Sequence, residues 1–219
     1  MSELATLERT EAITGRYMGP PALALADWRM RINRLYAEIR SIETPETAWR
    51  HWLEIRSALF RRHPMSPLSA EDRLDFGGIS VFAYDPALRF EVGIEPYQGP
   101  AETVKLGGDG ALSRRPLART RGLDDHLGAE LVLWWINGYG GGLFLPFRDS
   151  TSGTETFGGG RYLIDAIKGA DLGLSPDGRL ILDFNFAYHP SCAFDDSWVC
   201  PLAPPENTLP AAVRGGEKL

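Results

Sequence analysis

Cysteine is scarce: the 219 residues contain two, too few for a disulfide framework. Long apolar runs are missing as well. None approaches the roughly 18 residues that a membrane-spanning helix needs. There is no basic excess, since Lys+Arg 23 against Asp+Glu 29 leaves a net charge of −6. Such a chain is a poor general binder of nucleic acid or of anionic membrane. The N-terminal MSELATLERTEAI lacks a basic segment followed by an apolar one, so it does not read as a secretory signal. No GxxxxGK[ST] string and no helix-opening GxGxxG occur, which removes the P-loop and dinucleotide readings. These absences predict a cytoplasmic protein with small-molecule partners, no nucleic acid, no membrane, no cofactor and no metal. They leave the oligomeric state open.

What is present is close to an average globular composition, 43% hydrophobic and 24% charged. Residues 1–21 read as an arm with room for one short helix, closed by Gly19-Pro20-Pro21. Trp28, Ile32, Leu35, Tyr36 and Ile39 then recur at the spacing of one helix face. Asp27 is a candidate cap for that helix. A second helix is predicted from Thr44 as N-cap and Pro45 at the first turn, where the missing N–H of proline costs nothing. Its apolar face is Trp49, Trp52, Leu53, Leu59 and Phe60, and His63-Pro64 ends it.

From Phe76 the period shortens. GISVFAYDP, LRFEVGIEP, ETVKL, ELVLWWIN, RYLIDA and GRLILDF are short, rich in β-branched or aromatic residues, and bounded by Gly, Pro or Asp. Gly77-Gly78, Gly107-Gly108, Asp109-Gly110 and Asp177-Gly178 mark turns, the last between two candidate strands. No long helical pattern separates the strands, which argues against βαβ units. The expected fold is α+β: a mainly antiparallel sandwich or partly closed barrel with an N-terminal αα-hairpin packed on it. We expect one domain over residues 22–219, with the hairpin at 24–63 and the β part at 76–219.

Two stretches carry chemistry. In PFRDSTSGTETFGGGRYLIDA, hydroxyls, a carboxylate and two arginines lie between strands. Gly158-Gly159-Gly160 removes side chains just before Arg161, as a close backbone approach or a turn would require. Arg148 and Arg161 are placed to grip a carboxylate or phosphate as a planar fork. The plain alternative is a loop in which Asp149, Ser152 and Thr154 satisfy their own turn. In LDFNFAYHPSCAFDDSWVCPLAPPEN, Asp183 and Asn185 share one face of a regular strand. His189, Cys192 and Cys200 raise zinc, a disulfide or a nucleophilic thiol, against two reduced buried thiols. His51 and His126 read as solvent-facing. His63 ends its helix in a proline-stiffened loop that can aim an imidazole. The proline-rich tail from Cys200 reads as a strap in which Glu206-Asn207 reach back to arginines or backbone.

HPMSPL, YDPALRF, LPFRDSTSGTETFGGGRYL, DFNFAYHPSCAF and CPLAPPENTLP, in this order, resemble the bacterial and archaeal family called domain of unknown function 1684. The resemblance runs from Trp28 to Lys218. The family name implies an architecture more than a reaction. His63, Arg148, Asp149, Thr151, Ser152, Arg161, Tyr162, Asp183, Asn185, Tyr188, Cys192 and Glu206 match its pattern. The chain departs from it at Phe157 and Phe194, where tyrosine is usual, at His189, where asparagine is, and at Phe186, where arginine is.

The functional expectation is a small-molecule enzyme. It would use acid/base chemistry, without a redox cofactor, on an anionic or carbonyl-bearing substrate, by hydrolysis, dehydration, isomerisation or cyclisation. The expected catalytic group is His63, Asp149, Arg148, Arg161 and Tyr162. The arginines would anchor and polarise substrate while His63 or Asp149 moved a proton. Thr151, Ser152, Asn185, Tyr188 and Cys192 are expected to bind substrate. The alternative is a β-barrel or sandwich that binds a small ligand without turnover.

Overall fold

The structure, a computed structural model, describes residues 10–107 and 110–219. The first nine residues of the arm, and the turn positions Gly108 and Asp109, lie outside the described residues. The chain divides into two compact units, Met1–Ile79 and Ser80–Leu219.

The first unit is an αα-hairpin. Residues 10–14 are helical and precede it. Helix α1 spans Ala24–Ser41 and helix α2 spans Pro45–Arg62. Trp28, Ile32, Leu35, Tyr36 and Ile39 are all buried, as their spacing requires. On α2, Trp49, Trp52, Leu59 and Phe60 are buried together with Ile55, whereas Leu53 is half-exposed. The helices run antiparallel: the Trp28 and Phe60 rings lie 6.1 Å apart, and Glu38 bonds His51 at 2.8 Å. Thr44 occupies the N-cap position of α2, although its hydroxyl makes no cap bond. Asp27 falls inside the first turn of α1 instead of capping it. Its carboxylate accepts from Arg31 at 2.5 Å and pairs with His63 at 3.0 Å.

The second unit is a seven-stranded antiparallel sheet rolled into a nearly closed barrel. Its strands are β1 (Arg89–Pro96), β2 (Glu102–Lys105), β3 (Ala111–Arg121), β4 (Val132–Ile136), β5 (Gly142–Phe147), β6 (Arg161–Asp165) and β7 (Leu180–Asp183). The strand order is β6-β5-β4-β3-β1-β7, with β2 added on β3. After β7 the chain makes one 3-10 turn, Phe184–Phe186, and Tyr188 then pairs with Tyr162 of β6. Two backbone bonds of 2.9 and 3.1 Å between those tyrosines bring the two ends of the sheet together. The interior is filled by Leu133, Leu145, Phe147, Leu163, Leu182, Phe184 and Val213. On β4, Leu133 faces the interior, while Trp134 is buried on the opposite face under the Arg114 guanidinium and Trp135 is half-exposed. Asp177-Gly178 makes the expected hairpin into β7, with Gly178 at a φ of +82°.

The C-terminal segment is a strap. Asn207 is fully buried. Its amide accepts from the Val132 N–H at 2.9 Å and donates to the Val132 and Pro146 carbonyls at 2.9 and 2.7 Å. Further on, the Phe82 N–H donates to the Gly216 carbonyl and the Glu217 N–H to the Ala187 carbonyl. The polar groups of Asn207 thus replace ladder bonds that the adjoining strands leave open.

Candidate active site

The residues anticipated from the sequence separate into four groups, and Arg148 stands outside all of them. Arg161 is 1% exposed, while Arg148 is exposed, so the two do not form one fork. The Arg161 guanidinium donates to the carbonyls of Val213 at 2.8 Å, Glu217 at 3.3 Å and Gly215, and stands 3.5 Å from the Asp149 carboxylate. Asp149 in turn accepts from both sides. Thr151 donates to its two oxygens at 2.9 Å, Ser152 at 3.2 Å, and the Val213 N–H at 2.7 Å. Arg161, Asp149, Thr151 and Ser152 therefore bind the strap to the barrel. Gly160 lies at a φ of +94° beneath the Phe147 carbonyl, which is the close approach the glycine run serves.

His63 ends α2 at 1% exposure. Its Nδ1 accepts from the Met65 N–H at 3.1 Å and its Nε2 meets Asp27 at 3.0 Å, so the proton sits on Nε2. Burial lowers its pKa below the ordinary 6.5, and the Asp27 bond opposes that. Asn185 is fully buried. It closes a loop by bonding the Asp85 N–H at 2.9 Å, the Asp85 carbonyl at 2.8 Å and Asp183 at 2.8 Å.

The remaining three, Tyr162, Tyr188 and Cys192, lie near Cys200, which the sequence singles out, and near Asp165 and Lys168, which it does not. Cys192 and Cys200 are free, partly exposed residues whose thiols act on each other. The Lys168 ammonium also acts electrostatically on Cys200. The interaction with Cys192 is the largest cause that lowers the Cys200 pKa, to about 6. The same interaction, reinforced by burial, pushes Cys192 up. Cys200 is thus the more acidic of the two.

The elements around the pair fix it in place. Tyr162 donates its phenol proton to the Pro201 carbonyl at 2.7 Å, next to Cys200. Burial, then the neighbouring Cys200 and Asp165, hold that phenol protonated by raising its pKa well above 10.0. Its ring packs edge-on against Phe144 and Tyr188, at 4.8 and 5.7 Å. Asp165 pairs with Lys168 at 2.6 Å and lies 3.4 Å from the Tyr188 hydroxyl. His189 lies three residues before Cys192. Its Nε2 accepts from the Phe157 N–H at 3.2 Å, and its backbone N–H donates to the Glu217 carboxylate at 2.7 Å.

The sequence of this strand-and-strap unit matches the family described as "Protein of unknown function (DUF1684)" over residues 74–218. The chain belongs to that family. Among solved structures it is similar to the solution NMR structure of an uncharacterized protein from gene locus rrnAC0354 of Haloarcula marismortui. The two are 34% identical, the match covers 80% of this chain and 94% of that one, and the TM-score is 0.56. No curated protein matches the chain. The DUF1684 match begins after α2, so Tyr162, Tyr188, Cys192 and Cys200 lie within it while His63 does not. Among the described residues, no helix is long and apolar enough to cross a membrane.

Proposed function

We propose that this DUF1684 protein is a small-molecule enzyme that moves a proton at a carbon beside a carbonyl, an isomerisation, with the two thiols as acid and base. What supports this reading is the pair of free, partly exposed cysteines beside Lys168, which act on each other so that Cys200 is lowered and Cys192 raised. Paired titratable groups pushed in opposite directions mark an acid and a base. A base with a pKa near the operating pH is both deprotonated and strong enough to act. In this reading Cys200 takes the proton from carbon, the Lys168 ammonium meets the developing enolate oxygen, and Cys192 returns a proton. Tyr162 is a positioning residue, acting through Pro201.

The partial exposure of both cysteines supports access by a substrate. Charge on Lys168 supports the anionic or carbonyl-bearing substrate class. The alternative, a ligand held inside the barrel, is less well supported because Leu145, Phe147 and Phe184 already occupy that space at 0% exposure.

The test is deuterium wash-in from heavy water into the carbon acid positions of a panel of 2-oxo acids, followed by proton NMR. Wild type is expected to exchange at least one panel member faster than buffer does, and Cys200→Ser is expected to remove the excess. Exchange equal to buffer across the panel, or unchanged by Cys200→Ser, overturns the reading.

A further inference from the structure

We propose that the helical unit carries a second binding site, for an organic anion whose phosphate or carboxylate head is attached to an apolar, flat body. A cleft of about 420 Å³ opens beside the N-terminus of α1 and the C-terminus of α2. That volume is within the range of roughly 300–1,000 Å³ typical of small-molecule sites. Arg16, Arg62 and Arg73 line it, with Tyr17, Pro64 and Met65 among the less polar walls. No carboxylate is among the described residues that line it, in a chain whose net charge is −6.

The three guanidiniums are not equivalent. Arg73 is held from behind, its Nε donating to the Leu68 carbonyl at 3.1 Å and its Nη1 to the His63 carbonyl at 3.2 Å. Arg16 and Arg62 are exposed and make no ion pair among the described residues. Three like charges facing one space repel each other, and an anion between them relieves that repulsion. Arginine further suits phosphate or carboxylate because its planar fork gives two parallel bonds.

The walls select the rest of the ligand. Tyr17 is fixed by its bond to the Pro20 carbonyl and by the His63 ring 5.6 Å away. Pro64 is conformationally stiff, so Tyr17 and Pro64 offer pre-formed flat surfaces, while Met65 adapts to shape. Buried His63 stands behind this wall and supports it without facing the ligand. The site is made entirely from residues before the DUF1684 match, and its test does not involve the thiols.

Calorimetric titration of the full chain with phenyl phosphate tests the proposal, with inorganic phosphate and benzyl alcohol as comparators. Phenyl phosphate is expected to bind, and to bind at least about tenfold more tightly than either comparator. The double variant Arg16→Gln/Arg62→Gln is expected to weaken it at least about tenfold, as is Met65→Glu, with melting temperatures unchanged. Both positions of the double variant are exposed, so its fold is retained. No binding at about 10 mM, affinity unchanged in the double variant, or inorganic phosphate binding as tightly as phenyl phosphate would each overturn the site.

Discussion

Arg161→Lys is the substitution whose effect follows most directly from the geometry. The guanidinium spans three strap carbonyls and the Asp149 carboxylate from a position 1% exposed. Burial lowers its pKa to about 10, while Asp149 and Glu217 act against that shift. It is therefore charged at neutral pH and needs all its partners. A lysine ammonium is a point donor and cannot span carbonyls that approach from residues 213, 215 and 217. We expect it to lose about two charge-assisted hydrogen bonds, each contributing about 1.5–3 kcal/mol. That sum agrees with the roughly 3–5 kcal/mol lost when one member of a buried pair is removed. For a chain of this length each kcal/mol moves the melting temperature by about 2–4 °C, so a fall of about 10 °C is expected. Arg161→Met, which leaves Asp149 buried with its charge less compensated, is expected to fall at least as far. Circular dichroism melts measure the fall, and carboxypeptidase digestion checks that the strap is released. A melting temperature within about 2 °C of wild type for both variants, with the tail still protected, would refute a structural role for Arg161.

Three further outcomes are expected. Cys192→Ala removes the neighbour that lowers Cys200 most, so the pH midpoint for iodoacetamide alkylation of Cys200 should rise from about 6 toward the ordinary 9.0; an unmoved midpoint would show that the pairing does not set it. Tyr162→Phe deletes the bond to the Pro201 carbonyl and should also displace that midpoint, while Arg161→Lys should leave it in place; equal effects of the two would contradict the separation of their roles. His63 has a folded pKa below 6.5, so the unfolded chain binds more protons as pH falls through 6.5. Stability of the helical unit should accordingly drop between pH 7 and 5, and His63→Gln should flatten that dependence in melts followed at 222 nm.

The helices are legible because their physics is local. A 3.6-residue period and a proline at each end of α2 fix both the elements and the faces they bury. Strand β3 is hidden for the opposite reason. Arg114, Arg115, Arg119, Arg121 and Pro116 break the apolar alternation. The structure accommodates them one at a time. Arg114 lies over the Trp134 ring at 4.6 Å and pairs with Glu102 at 2.9 Å, and Pro116 sits at a bulge. GLFLPF carries β5 and has the bounding signals of its neighbours, Gly140-Gly141 before it and Asp149 after it, but Pro146 interrupts its run. GISVFAYDP shows the converse. It is apolar and β-branched, but it makes only the single bridge Val81 to Glu217, because its neighbour is the strap and not a strand.

The same distinction explains what was readable of the candidate site. A polar string rich in glycine and arginine does mark a place where backbone comes close to a guanidinium. The sequence shows that the tail returns as a strap, but places its contact at Glu206-Asn207; the carbonyls that meet Arg161 come from residues 213 to 217, some fifty residues after it. The signal for it was Gly215-Gly216, the latter at a φ of +75° and pressed against Ala187. Arg161 and Tyr162 are consecutive on β6, and consecutive strand residues project to opposite faces. One side chain secures the strap through three carbonyls, and the other secures Pro201 beside the thiols. A single strand end thus fastens the closing segment of the barrel on one face and places Cys200 on the other. Polar residue types alone do not distinguish those two tasks, since both are met by hydrogen bonds to backbone carbonyls. Only the return path of the chain does.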